Sequence, residues 1–150
     1  MSHTFTQLTY HAVFGTKGRV PHIGDGLREK LYPYLGAFIN NNQGFARQIG
    51  GMADHMHILF DLHQTVAVAD FLRGMKSASS GWVHDAFPEL REFGWQGGYG
   101  AFTVSASQIP RVKRYILNQE EHHKTQTFEE EFIALLKRHG ITYDPCHLWE

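Results

Sequence analysis

Between Thr6 and Phe14 the chain alternates: Leu8, Tyr10, Ala12 and Phe14 fall on one side of an extended segment, Thr9, His11 and Val13 on the other. That period of two predicts a first strand, and Gly15, Gly18, Pro21 and Gly24 make the loop after it. From Leu27 the apolar spacing becomes helical through Leu31, Leu35, Phe38 and Ile39, with Pro33 expected to kink or divide the helix and Asn40, Asn41, Asn42 and Gly44 to end it. Residues 45–52 and 55–62 read as two further strands, and the Ala53-Asp54 break after Gly50-Gly51 makes them a hairpin. Thr65 is the expected cap of a second helix that carries Val68, Phe71, Leu72 and Met75 inward. A stretch of glycines and aromatics over 93–100 then leads into a last strand, 101–104. The order strand, helix, strand, strand, helix, strand is that of a ferredoxin-like split βαβ fold, an α+β antiparallel sheet with helices on one face.

Two more helices follow this core. Ser105 or Ser107 is expected to cap the first, with Pro110 in its opening turn, where a missing N–H costs nothing. Thr127 and Glu130 make a capping box for the second, whose apolar face is Phe132, Leu135 and Leu136 and whose stop is Gly140. The 150 residues suit one domain, a core over about 5–104 and the added helices over about 105–150. Hydrophobic content of 42% against 19% charged excludes a disordered chain. A single cysteine, Cys146, excludes an internal disulfide and a four-cysteine zinc site.

No run approaches the ~20 apolar residues of a membrane span, and the first residues lack a leader pattern, so a soluble cytoplasmic protein is expected. Net charge of -1 argues against a protein that coats nucleic acid indiscriminately, and any such contact must be local. The composition departs from the ordinary in its 11 histidines, the residue best suited to metal binding and proton transfer near neutrality.

His55 and His57 stand at i and i+2 on a strand, so both rings project from one face while Met56, Ile58 and Phe60 pack on the other. This is a chelating geometry that leaves coordination positions open, although the pair taken alone reads more plainly as two solvent-facing histidines. Tyr115 and Gln119, four apart, share a helical face, and the plainer reading of Tyr115 is core packing. Arg111, Lys113 and Arg114 place positive charge just upstream, where a phosphate backbone could lie, in a pattern also common on solvated faces. His122 and His123 diverge by about 100°, so at most one is expected near Tyr115, and His3, His11, His22, His63, His84, His139 and His147 have no partner pattern.

Taken together, His55-Met56-His57, the segment Trp95-Gln96-Gly97-Gly98-Tyr99-Gly100-Ala101-Phe102, and Tyr115 through Gln119 followed by Glu120-Glu121-His122-His123 resemble the single-tyrosine transposases of the HUH superfamily, the small IS200-like and REP-associated kind. The resemblance spans nearly the whole chain. It implies that His55 and His57 are paired metal ligands, Gln119 the third ligand and Tyr115 the nucleophile. It further implies a divalent cation, Mg or Mn, single-stranded DNA carrying a hairpin as substrate, and a homodimer whose tyrosine helices complete composite active sites. Lys76, with Ser77, Ser79 and Ser80, resembles a DNA-backbone contact of the family, beside the simpler reading of a helix C-terminal cation. A phenol with an ordinary pKa of ~10 is a poor nucleophile at neutral pH, which is why such chemistry needs the metal. Two other readings compete: a metal-dependent phosphodiester hydrolase with water as nucleophile, and a non-catalytic, domesticated hairpin-binding relative.

Overall fold

The computed structural model describes residues 2–150. Its core runs β1 (Thr9–Gly15), α1 (Asp25–Asn41), β2 (Gly44–Met52), β3 (His55–Leu62), α2 (Val68–Ala86) and β4 (Gly100–Thr103). The sheet order is β2-β3-β1-β4 with every neighbouring pair antiparallel, so β1 and β2 run the same way with β3 inserted between them. That is the split βαβ arrangement expected from the element order. Alternation along β1 and β3 sends Ala12, Phe14, Met56, Ile58 and Phe60 into one core with Leu31, Leu35, Leu72 and Met75 from α1 and α2.

The opposite face is also covered. Helices α3 (Ile109–Leu117), α4 (Gln119–His122) and α5 (Phe128–Arg138) lie across it. Val13 and Phe102 pack with Phe128, Phe132, Leu135 and Leu136, and Leu59 packs with Val104, Ile109 and Ile116. Strand β3 is therefore buried on both faces for all but one residue, Asp61, rather than half-exposed. The C-terminal Tyr143, Leu148 and Trp149 pack against α5 and hold it down.

Several local expectations are corrected. Strand β1 starts at Thr9, not Thr6. Pro33 sits inside an unbroken α1, because it and Glu29, whose carbonyl loses its partner, both belong to the exposed side of that helix. Thr65 does not cap α2, which starts after Ala67; its hydroxyl pairs with Nδ1 of His63 at 2.7 Å. Neither Ser105 nor Ser107 caps α3, since a 3-10 turn over Ala106–Gln108 intervenes and Pro110 then opens the helix. The capping box of Thr127 and Glu130 is present in full, and Gly140 takes the left-handed conformation just past α5.

Candidate active site

Strand β3 points the His55 and His57 rings at the face covered by α3 to α5, and each has a glycine as its partner on one neighbouring strand. His57 stands opposite Gly50 on β2, and His55 opposite Gly15 on β1. A Cβ at Gly50 would lie 2.7 Å from Ile116 Cγ2 and from the Ile116 carbonyl oxygen, so α3 rests directly on that backbone. A Cβ at Gly15 would lie 2.8 Å from Phe128 Cε2, so the start of α5 does the same on the other side. These two close approaches bring Tyr115, adjacent to Ile116, and Glu131, one turn beyond Phe128, over the two imidazoles.

Everything converges on the Glu131 carboxylate. Its Oε1 lies 3.0 Å from His57 Nε2, 3.1 Å from His123 Nε2 and 3.4 Å from His55 Nε2. Its Oε2 accepts from Gln119 Nε2 at 2.9 Å and from the Tyr115 hydroxyl. Gln119 Oε1 in turn lies 2.8 Å from His55 Nε2. The far nitrogens of the paired rings are held as well: His55 Nδ1 faces Asp54 Oδ1 at 2.8 Å, and His57 Nδ1 faces His11 Nε2 at 2.8 Å. Both rings are thus fixed from behind, with both Nε2 atoms turned toward Oε1 of Glu131.

Burial alone would neutralise these groups, and hydrogen bonding decides which of them resist. Burial opposes the charged form of His55, yet its bonds to Asp54, Glu131 and Gln119 outweigh that and push its pKa up to about 9. His57 goes the other way, lowered because its complete burial wins over Glu131. His11 is lowered further by burial and by His57. Burial works against the Glu131 carboxylate too, but the surrounding imidazoles and phenol hold it well below the usual carboxylate range. The Tyr115 phenol is raised, first by burial and then by the charge of Glu131 that it faces, so it stays protonated at neutral pH.

Of the residues singled out in the sequence, His55, His57, Tyr115 and Gln119 meet in one place. The helix breaks at Asn118 between the last two, and they converge through Glu131 rather than along one helical stripe. Arg111 lines the cleft beside Tyr115, whereas Lys113 and Arg114 do not. Lys76 lies in the middle of α2, not at its C-terminal end, and its ammonium donates to the carbonyls of Gln96 at 2.7 Å and Gly98 at 2.9 Å, holding the glycine-rich loop. His122 and His123 both reach the site, from opposite sides: the His122 ring lies 4.6 Å from that of Tyr115, and His123 bonds Gln119 and Glu131.

Two residues of the centre escaped the pattern reading, Glu131 and His11. For Glu131 a signal existed, since Phe128, Glu131, Phe132 and Leu135 form one stripe of α5 and a carboxylate occupies an otherwise apolar position. His55, His57 and Glu131 offer one ligand atom each within 4.8 Å of one another, all buried, and two imidazole nitrogens with one carboxylate oxygen fit a divalent cation.

An α+β split βαβ sheet thus carries a buried group of two histidines and one carboxylate that could hold a metal ion, with a tyrosine hydroxyl bonded to the same carboxylate. The chain belongs to the IS200-like transposase family, whose sequence profile matches residues 4–119, and it is a transposase. It is 30% identical over 124 residues to the ISDra2 transposase TnpA of Deinococcus radiodurans, covering 77% of this chain and 86% of that one. It is 27% identical to the transposase for insertion sequence element IS200 of Salmonella typhimurium, covering 83% and 84%. Among solved structures it resembles a Deinococcus radiodurans protein assigned as a transposase, with a TM-score of 0.65, 25% identity, and 79% and 96% coverage. A REP-associated tyrosine transposase bound to a REP hairpin shares the fold at a TM-score of 0.60 and 14% identity, over 82% of this chain and 74% of that one. The family match ends at Gln119, so Glu131 and all of α5 lie beyond it. No helix among the described residues is long and apolar enough to cross a membrane.

Proposed function

We propose that this chain cuts and rejoins single-stranded DNA through Tyr115, with His55, His57, Glu131 and Gln119 as the ligands of a divalent cation, Mg or Mn. The observation that carries the reading is the meeting of the Tyr115 hydroxyl and both imidazole Nε2 atoms on the two oxygens of one carboxylate. The cation, when bound, polarises a phosphoryl oxygen and offsets the charge that develops there. With Nε2 of His57 engaged, the ring's proton must sit on Nδ1 and be donated to His11 Nε2, and Asp54 accepts the corresponding proton of His55. Gln119 and Glu131 hold the phenol beside the ligand set and keep it oriented.

Attack of the Tyr115 oxygen on phosphorus forms a phosphotyrosyl bond and breaks the bond from phosphorus to the 3′ oxygen. The phenol loses its proton and the departing oxygen gains one, leaving a 5′-phosphotyrosyl strand and a free 3′-OH. A new 3′-OH reverses the step without ATP, because the phosphoester bond energy is conserved. The hairpin bound by the REP-associated neighbour supports a hairpin-containing strand as substrate.

The test is direct. Wild-type protein with Mn and single-stranded DNA from beside its own gene should give a denaturation-resistant adduct on the Tyr115 peptide. Tyr115→Phe should reduce cleavage on the order of 10³-fold or more while keeping the fold. Cutting by Tyr115→Phe at the wild-type rate, with free 5′-phosphate ends, would replace this reading with that of a hydrolase.

Family resemblance further supports a homodimer with composite sites. Within one chain α3 reaches its own sheet through Gly50, and the 3-10 turn over Ala106–Gln108 ahead of it is the place where two copies would exchange that helix. Mixed dimers of His55→Ala with Tyr115→Phe should then recover part of the activity, and verified mixed dimers that stay inactive would rule the exchange out.

A further inference from the structure

A cleft of about 600 Å³ opens beside the Tyr115 phenol between α3, β4 and α5, and the ligand set makes no use of it. Its floor is apolar, formed by Val104, Val112 and Leu135. Three imidazoles stand in its walls: His11, which backs His57, His139, stacked on Phe102 at 4.1 Å, and His122, 4.6 Å from the Tyr115 ring. Its rim carries Arg111 from α3 and Arg138 from the last turn of α5, both exposed and neither held in a salt bridge among the described residues. The cleft on the other side of the centre, about 500 Å³ beside His123, has Asp54 and Glu130 on its walls against one Lys124. In a chain of net charge -1, the two mouths of the site therefore differ in sign.

An apolar floor with flat rings and a cationic rim matches the chemistry of a nucleotide, which presents a π-face to the floor and a phosphate to the rim. We propose that this cleft binds the nucleotide next to the phosphodiester that Tyr115 attacks, its base against His139 and His122 and its phosphate between Arg111 and Arg138. Gln108, exposed at the cleft's edge, is the side chain placed to read the base, since a carboxamide both donates to and accepts from a base edge. The inference rests on the strand-transfer reading above and adds to it the side on which the strand lies.

Binding of a short fluorescent single strand, spanning the site that the wild-type protein cuts, tests it in a Tyr115→Phe background with Mn, across a salt series. Arg138→Gln and Arg111→Gln should each weaken binding about tenfold, the scale of one lost charge-assisted hydrogen bond. Each should also flatten the dependence of log Kd on log salt by about 0.7. Arg138→Lys should restore the slope, Lys30→Gln on α1 should change neither quantity, and Gln108→Ala should relax the base preference at one position flanking the cut. Melting curves and Mn titration of the same variants report that fold and centre are intact. Binding within twofold of the parent with an unchanged slope in both arginine variants would overturn the cleft assignment. Absence of any covalent adduct in the wild type would instead sink the strand-transfer reading, so the two failures are distinguishable.

Discussion

Under α1 and α2 the sheet presents Ala12, Phe14, Met56, Ile58 and Phe60, while one residue along the same two strands it presents His11, Val13, His55 and His57 to α3 and α5. Both faces are buried, and they differ in what burial achieves. On the first face it removes apolar surface from water, worth roughly 1.5–3 kcal/mol for each large side chain. On the second it encloses a carboxylate, three imidazoles and an amide, groups that burial alone penalises and that persist only because each is hydrogen-bonded to another. Two small apolar clusters flank that polar centre and carry the packing of α3 and α5 in its place. The comparison teaches that one sheet separates its duties by side-chain parity: stability on the even face, chemistry on the odd.

Substitutions matched across the sheet should expose that division. Phe60→Ala, on the apolar face, should cost about 3–5 kcal/mol in chemical denaturation and leave the Mn affinity of the folded protein within about twofold. Glu131→Gln, on the polar face, should weaken Mn binding by calorimetry by at least about tenfold. Equal loss of metal affinity in the two variants would show that the faces are not independent.

A smaller effect is expected where one face depends on the other's backbone. Gly50→Ala puts a methyl group into Ile116 and should cost about 1–3 kcal/mol in a thermal melt. It should also slow cleavage by on the order of 10²-fold, because α3 and Tyr115 move off His55, His57 and Glu131 together. Normal cleavage in a destabilised Gly50→Ala protein would mean that Tyr115 is not positioned through this contact.

A last effect lies in the pH profile of the metal-free protein. His55 is raised above its ordinary 6.5, so its contribution is fully present below pH 6.5 and is lost as pH rises toward about 9. His57 and His11 are lowered, so the unfolded chain takes up protons that the fold refuses, and stability falls as pH drops below 6.5. Stability should therefore peak near pH 6.5 and decline by up to roughly 3 kcal/mol by pH 9, while Mn binding tightens over the same interval as the proton on His55 is displaced. A His55→Gln protein that keeps the alkaline decline would assign it to another group.

Much of this was readable before any coordinates. Alternation and helical spacing are local properties, and they determined the six-element order, the hairpin that carries His55 and His57 on one side of β3, the capping box at Thr127, and the stop at Gly140. The motif around Tyr115 and Gln119 likewise pointed to the family. The first strand was read three residues too long, from Thr6, and caps went astray at Thr65 and Ser105, where a residue's propensity for a role competed with neighbours offering another partner. What periodicity could not determine is which distant groups share a point in space. Glu131 lies 74 residues from His57 and reaches it only because α5 settles on Gly15. His11 becomes the partner of His57 only through the pairing of β1 with β3, and Tyr115 faces the two imidazoles only because Gly50 admits α3. A stripe on a helix states that one side will be buried, and the tertiary structure alone decides against what, because contact between remote segments depends on backbone approach distances set by the whole sheet.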